Sequence, residues 1–317
     1  METKITKMLG IEYPILCGGL FGLSEWKLVS SVCNAGALAF LSSNHLGSSK
    51  ALREQIIETR NHTNKPFGVN ISLLAESKTN LTDDYIDVII EEKIPVVETA
   101  GNNPSIYIER LKKNNIKVLH KAVASRFAQK AEDAGADGVI LVGYAAGGHP
   151  GMKELDLFVN LQETLQRVNI PVIAAGGIGT GQAMAAALRL GAEGILMGTV
   201  FAATQESIFS KEVKERILNS HCTDTVVVFK SLKNAFRCLK TRQSLKILEL
   251  EQNGAPAKEI LSYMHSYNAM ESYGTNNVEN ALIPAGQVVG LIHKILTCQE
   301  LVKAIIKEYE ACCIHNI

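Results

Sequence analysis

The stretches "AGADGVILVG" at residues 134–143 and "LGAEGILMGT" at residues 190–199 are two versions of one pattern. In each, a glycine is followed by alanine, an acidic residue, a second glycine and a run of aliphatic residues. A glycine after a helical segment ends the helix, and a continuous aliphatic run is typical of a strand buried on both faces. The echo therefore predicts repeated βα units.

The same kind of aliphatic run recurs before these two copies, and amphipathic or capped helical stretches separate the runs. Eight βα units are the number of a TIM barrel, whereas a doubly wound sheet more usually has about five or six strands. The sequence therefore predicts an α/β protein with a TIM (β/α)8 barrel. The eight runs are PILCG (14–18), ALAFLS (37–42), FGVNIS (67–72), PVVETA (95–100), KVLHKAV (117–123), GVILVG (138–143), PVIAAGG (171–177) and GILMGTV (194–200).

The pattern changes after Ala202, where mainly helical segments replace the alternation of strands and helices. We interpret residues 206–280 as a mainly helical insertion on the substrate side of the barrel. A last barrel helix is predicted from about residue 285 to 311. The predicted barrel thus consists of residues 1–205 and 281–317.

The composition points to a small-molecule partner. The chain has 317 residues, 46% of them hydrophobic, and its 32 basic and 32 acidic side chains cancel. A net charge of zero gives no electrostatic surface for nucleic acid or an anionic membrane. No segment approaches the ~20 apolar residues of a membrane span, and no signal-peptide run is present, so we expect a cytoplasmic protein. The seven cysteines include no C-x-x-C and no metal-type spacing, so no metal site is expected.

The chemistry of a TIM barrel lies at the C-terminal ends of its strands. The last two predicted strands end in "AAGGIGTG" and "MGTVFAAT", which place Gly176, Gly177, Gly198 and Thr199 at that face. Glycines there let backbone N–H groups approach an anion, and a helix N-terminus adds a favourable dipole. Tight βα turns would explain one such glycine pair equally well. Two on adjacent strands favour a phosphate site.

Three polar residues also fall at predicted strand ends. Lys121 is the only lysine there, and its charge suits the anionic edge of a reduced cofactor, although a lysine can also extend to solvent from a strand end. Asn70 could offer its amide to a planar heterocycle or simply form a turn. For Glu98, a hydrogen bond to a neighbouring loop is a simpler interpretation than a catalytic role.

The loop "GYAAGGHPG" at residues 143–151 carries His149 among four glycines and a proline. An imidazole can donate a hydrogen bond to an anionic substrate or exchange a proton near neutral pH. The alternative is an ordinary loop histidine.

Motifs along residues 5–310 resemble, in order, those of the nitronate monooxygenases, a group that includes NAD(P)H:quinone reductases and FMN-dependent enoyl-ACP reductases. The resemblance implies non-covalently bound FMN, with its phosphate held by Gly176, Gly177, Gly198 and Thr199. It further implies that Gly18, Gly19, Leu20, Asn70, Lys121 and Gly148 line the cofactor and that His149 is the active-site histidine. The motifs are PILCGGL, NAGALAFLS, PFGVNIS, VVETAG, VLHKAVASRFAQKAEDAGADGV, GGHPG, PVIAAGGIGTG, LGAEGILMGTVFAATQES and AGQVVGLI.

The chain departs from the family in two places. Many relatives have an acidic residue before the histidine, which "VGYAAGG" lacks, and Cys17 and Leu20 stand where relatives often have Gln and Met. We expect these changes to affect the choice of substrate more than the binding of FMN.

Three functions remain open. The first is oxidation of an alkyl nitronate with O2 to a carbonyl compound and nitrite. The second is reduction of a quinone or an enoyl thioester by NAD(P)H, and the third is a flavin-binding partner protein without turnover. The oligomeric state is also open, with a homodimer among the options.

Overall fold

The computed structural model describes residues 1–73, 81–265 and 269–314. Within these ranges eight parallel strands close into a barrel in the order β1 to β8, with β8 paired to β1. The predicted TIM barrel is confirmed. Residues 266–268 of the predicted insertion and 315–317 of the predicted last segment lie outside the described part.

Each predicted aliphatic run corresponds to one barrel strand, and helices alternate with the strands. The strands are β1 (Ile15–Cys17), β2 (Leu38–Ser42), β3 (Gly68–Leu73), β4 (Val96–Gly101), β5 (Lys117–Ala122), β6 (Gly138–Val142), β7 (Val172–Ala175) and β8 (Gly194–Met197). The helices up to Ala202 are α1 (Lys4–Leu9), α2 (Trp26–Asn34), α3 (Ser49–His62), α4 (Thr82–Glu91), α5 (Ser105–Lys113), α6 (Ser125–Asp133), α7 (Leu157–Leu165), α8 (Gly181–Arg189) and α9 (Thr199–Ala202).

Alternate strand residues point into the barrel, because successive side chains of a strand lie on opposite faces. The inward side chains form one buried apolar cluster that includes Phe40, Leu119 and Leu196. Ile5 and Leu9 of α1 belong to the same cluster, so α1 closes the end of the barrel at which the strands begin. The opposite, C-terminal end remains for polar side chains.

The segment after β8 contains helices, as predicted, and also a β-hairpin that the sequence analysis missed. Strands β9 (Thr225–Val228) and β10 (Phe236–Leu239) pair antiparallel. The helices are α10 (Lys211–Leu218), α11 (Arg242–Gln252), α12 (Ala257–His265) and α13 (Ala269–Tyr273). The hairpin packs with α11 and α12 in a small cluster that is separate from the barrel core. The β-branched run TVVV predicts a strand, but helical segments on either side obscured it.

The last helix, α14 (Cys298–Ile314), begins later than predicted. Residues Gln287–Leu291 form a 3₁₀ turn instead. The physical reason is a capping box, in which the Glu300 backbone N–H donates to Thr297 Oγ1 at 3.2 Å and the Thr297 N–H donates to Glu300 Oε2 at 2.8 Å. The spacing T-x-x-E is the usual signature of a helix start.

Helix α14 packs tightly against the beginning of α8. A Cβ added to Gly181 would lie 2.3 Å from the carbonyl oxygen of Ile305, so only glycine permits this approach. The Gly181 N–H donates to Glu308 Oε2 at 2.7 Å, which satisfies one of the free N–H groups at the start of α8. The last described helix therefore holds the segment that follows β7. Along the described ranges, no helix combines the length and apolarity needed to cross a membrane.

His120 of β5 predicts a pH-dependent stability. Its side chain faces the helices, Nδ1 lies 2.9 Å from Thr99 Oγ1, and burial lowers the pKa of His120 from 6.5 to about 4. Below pH 6.5 the His120 side chain therefore binds a proton in the unfolded chain, whereas in the folded chain it stays neutral until about pH 4. Above pH 6.5 this histidine should not reduce the free energy of unfolding. As the pH falls through the window, the free energy of unfolding should decrease by about 3 kcal/mol.

Urea unfolding at a series of pH values measures this contribution. Other groups also titrate in this range, so the wild type is compared with His120→Gln, which cannot take up the proton. The difference between the two unfolding free energies should change across the window. Parallel pH curves would contradict the assignment.

Candidate active site

Three polar side chains enter the barrel from adjacent strands at the C-terminal end. Asn70 of β3 is the register partner of Glu98 of β4. Glu98 is the register partner of Leu119, and Lys121 follows Leu119 by two positions on β5. All three therefore share the inward face of the barrel with Leu119. They form a polar layer above the apolar core.

Glu98 is the centre of this layer and is completely buried. Its Oε2 accepts hydrogen bonds from the Gly19 backbone N–H at 2.9 Å and from Asn70 Nδ2 at 2.6 Å. Its Oε1 lies 3.0 Å from Lys121 Nζ as an ion pair, and among the described residues it accepts no hydrogen bond. The two carboxylate oxygens thus serve different partners. The expected hydrogen bond from Glu98 to a neighbouring loop is present.

The loop after β1 covers this layer. Ser24 Oγ donates to the Gly18 carbonyl at 3.1 Å and accepts from the Leu20 N–H at 2.9 Å, which folds the loop back on itself. Lys121 Nζ lies 3.2 Å from the point where a Cβ on Gly18 would stand, so the lysine reaches across the barrel. A Cβ on Gly198 would lie 3.2 Å from Leu20, so the loops after β1 and β8 are in contact.

The glycine pair after β7 has an unusual backbone. Gly176 and Gly177 have φ values of +84° and +85°, a region that residues with side chains rarely adopt. A Cβ on Gly176 would also lie 2.6 Å from the carbonyl oxygen of Gly143 in the loop after β6. Glycine is therefore required here both for conformation and for space.

Several backbone N–H groups after β7 and β8 find no acceptor among the described residues. In the described part of the chain, no N–H of residues 177–180 donates to a protein acceptor, nor does that of Gly198 or Thr199. Thr199 Oγ1 accepts from the Gly286 N–H at 2.9 Å, which fixes the loop after β8. Since β7 and β8 are neighbours, the unpaired N–H groups lie on adjacent loops. Such groups form an anion-binding surface.

His149 lies on the loop after β6, and its side chain is exposed in the free protein. The edge of its ring contacts Phe236 of β10, with centroids 5.3 Å apart. The surrounding protein lowers the pKa of His149 below its usual value, and a hydrogen bond with Asn234 partly opposes this shift. Neutral imidazole is therefore the main form at neutral pH.

The β9–β10 hairpin holds the histidine loop in place. The Gly148 N–H donates to the Arg237 carbonyl at 3.0 Å, and the Arg237 N–H donates back at 2.6 Å. The buried Arg237 guanidinium also donates from Nε to the Tyr144 carbonyl at 3.1 Å and lies over the Tyr144 ring. Lys230 pairs with Glu154 beyond the histidine. The position of His149 thus depends on a segment outside the barrel.

The structure bears on two expectations about the site. The Asn70 amide nitrogen donates to Glu98, which leaves its second N–H and the amide oxygen for a further partner. Cys17 does not line the space above the site, because its side chain is buried between the strands and the helices, where burial raises the pKa of its thiol. The sequence analysis missed Arg237 and Asn234, since both lie on the unpredicted hairpin.

A closed barrel with a buried cation–carboxylate–amide layer and glycine loops after its last two strands defines a TIM-barrel enzyme that acts on small molecules. The description of the matching family model is "Nitronate monooxygenase", and the match covers residues 2–308. The chain belongs to the nitronate monooxygenase family, a family of oxidoreductases. The family predicted from the sequence is confirmed.

Three relatives indicate the range of this family. FabK from Thermotoga maritima is 37% identical, with a TM-score of 0.92 over 99% of this chain and 98% of that one. A "Probable nitronate monooxygenase" of Staphylococcus aureus (strain MSSA476) is 34% identical over 71% of this chain and 75% of that protein. Nitroalkane oxidase from Streptomyces ansochromogenes is 25% identical, with a TM-score of 0.83 over 98% of this chain and 99% of that one.

Proposed function

We propose that the protein is an FMN-dependent oxidoreductase that oxidises alkyl nitronates with O2. The observation that carries the proposal is the pair of loops after β7 and β8, where the N–H groups of residues 177–180, Gly198 and Thr199 have no acceptor among the residues that the structure describes. A terminal phosphate supplies the acceptors that these groups lack. Gly176 and Gly177 give the backbone the shape that such contact requires.

The polar layer fits the rest of the cofactor. Gly18, Gly19 and Leu20 form a loop across the barrel from Lys121, and Gly148 has open space where a side chain would stand. These residues, with Asn70, would line the ring and ribityl chain. When bound, FMN would supply the redox chemistry by which electrons pass from the nitronate to O2.

The remaining residues provide binding and proton chemistry for the substrate. A nitronate is an anion, so its oxygens require hydrogen-bond donors or a cation. His149 offers a neutral imidazole that donates a hydrogen bond or exchanges a proton. We propose that the hairpin within residues 206–280 forms the substrate side of the site, because Phe236, Asn234 and Arg237 contact the histidine loop.

A second function is favoured by the likeness to FabK, which extends over 99% of this chain at 37% identity. In addition, an indene-carboxyl-CoA dehydrogenase of Rhodococcus jostii (strain RHA1), named for a thioester substrate, is 29% identical over 97% of this chain. Reduction of a quinone or an enoyl thioester by NAD(P)H would use the same FMN site. A flavin-binding partner protein without turnover is the remaining alternative.

Anaerobic mixing of the purified holoprotein with propyl-2-nitronate, NADH or NADPH separates these functions. We expect the nitronate to bleach the flavin absorbance and admission of O2 to restore it, with release of nitrite. Bleaching by NADH or NADPH but not by the nitronate would replace the proposed reaction with the second function. A flavin that none of the three reduces would favour the partner protein.

A further inference from the structure

The two hydrogen bonds of the buried Glu98 side chain do not explain why this side chain is a carboxylate. Both bonds to the Gly19 N–H and Asn70 Nδ2 use Oε2 alone. A glutamine carbonyl oxygen could accept the same two bonds without the cost of burying a charge. The negative charge therefore needs a separate explanation.

Lys121 supplies that explanation. Its Nζ lies 3.0 Å from Oε1, the oxygen that accepts no hydrogen bond within the described ranges. Of the Lys121 side chain 21% remains accessible, whereas none of the Glu98 side chain is. In this arrangement the Glu98 carboxylate offsets the positive charge of Lys121 from the side of the apolar core. The lysine amine still faces the open end of the barrel. Two opposite charges held this close in the protein interior interact strongly.

We propose that Glu98 and Lys121, as opposite charges held side by side, together set how strongly the site favours the reduced, anionic flavin. This inference rests on the proposed binding of FMN. The Lys121 charge stabilises extra negative charge nearby, and the Glu98 charge reduces that effect. The pair thus adjusts the reduction potential of the cofactor, while the other Glu98 oxygen holds the loop after β1.

The variant Glu98→Gln separates the two roles of this carboxylate. Its carbonyl oxygen can keep the bonds to Gly19 and Asn70, but the neutral amide no longer offsets Lys121. We expect flavin content to be retained and the oxidised–reduced equilibrium to shift at least tenfold toward reduced flavin, which is about 30 mV for a two-electron couple. Anaerobic titration of the holoprotein with dithionite and a reference dye measures the shift.

A matched control is Glu206→Gln. Glu206 is a partly buried carboxylate that also accepts from a backbone N–H, that of Cys298 at 3.0 Å, but it lies outside the barrel interior. Its replacement should leave the flavin potential unchanged. An equal potential in the wild type and Glu98→Gln would overturn the inference, because a purely structural Glu98 would not change the potential.

The double variant Glu98→Gln/Lys121→Met keeps the test open if Glu98→Gln does not fold. It carries no unpaired buried charge, and its net charge equals that of the wild type. We expect Lys121→Met alone to shift the equilibrium toward oxidised flavin and the added Glu98→Gln to reverse that shift. Identical potentials in the Lys121→Met and double variants would reject the inference. Wild-type protein that binds no flavin would instead reject the proposed function.

Discussion

The replacement of His149 by alanine should lower kcat/KM on the order of 10²- to 10⁴-fold while leaving the flavin content unchanged. The imidazole is exposed at the C-terminal end of the barrel, and Phe236 of the hairpin contacts its ring. Its loss therefore removes a donor or proton carrier without disturbing the barrel core. Steady-state kinetics with the substrate identified by anaerobic mixing measures the effect.

His149→Asn distinguishes the two roles of the imidazole, because asparagine donates a hydrogen bond but does not titrate. Activity retained in the asparagine variant and lost in the alanine variant would indicate hydrogen bonding, whereas equal losses would indicate proton transfer. His62→Ala on the outer helix α3 is a suitable control. Near-normal turnover in both His149 variants would remove this residue from the site.

The second large effect is expected from Gly177→Val and Gly198→Val. At φ +85°, a valine at 177 forces the backbone to move, and its Cβ would lie 3.2 Å from Ala145. At 198 the added side chain meets Leu20 at a similar distance. Loss of two charge-assisted bonds to the phosphate, at about 1.5–3 kcal/mol each, would weaken FMN binding at least ~100-fold.

Flavin content after gel filtration, and the identity of the flavin that acid releases, measure this effect. We expect yellow wild-type protein that releases FMN rather than FAD, and nearly colourless variants. Gly10→Val is a matched control, since Gly10 also has a positive φ of +66° but lies at the opposite end of the barrel. Full flavin content in both site variants would show that the phosphate binds elsewhere.

The barrel could be predicted from the sequence because its strands are local signals. Runs such as GVILVG and PVIAAGG are continuous and aliphatic, and each corresponds to a strand. The hairpin was missed because a four-residue strand has a weak signal, and its pairing partner lies beyond a turn with no glycine.

The candidate site was predicted only in part. The fold places the chemistry at the strand ends. Asn70, Lys121 and the glycines could therefore be named from the sequence. The sharing of the Glu98 carboxylate between Asn70 and Lys121 could not be predicted, because these contacts depend on strand register. Arg237 could not be found either, since it lies 89 positions after Gly148, to which it pairs. The roles of the individual site residues stay predictions.

The contact between α14 and the start of α8 has a consequence during synthesis on the ribosome. The Gly181 N–H and its partner Glu308 are 127 residues apart in sequence. At about 5–20 residues per second, the loop before α8 emerges roughly 6–25 s before the helix that braces it. Under the proposed assignment, the nascent chain exposes its phosphate loop well before that loop is secured. Cofactor capture is therefore expected to follow the synthesis of α14, and the chain must persist without FMN until then.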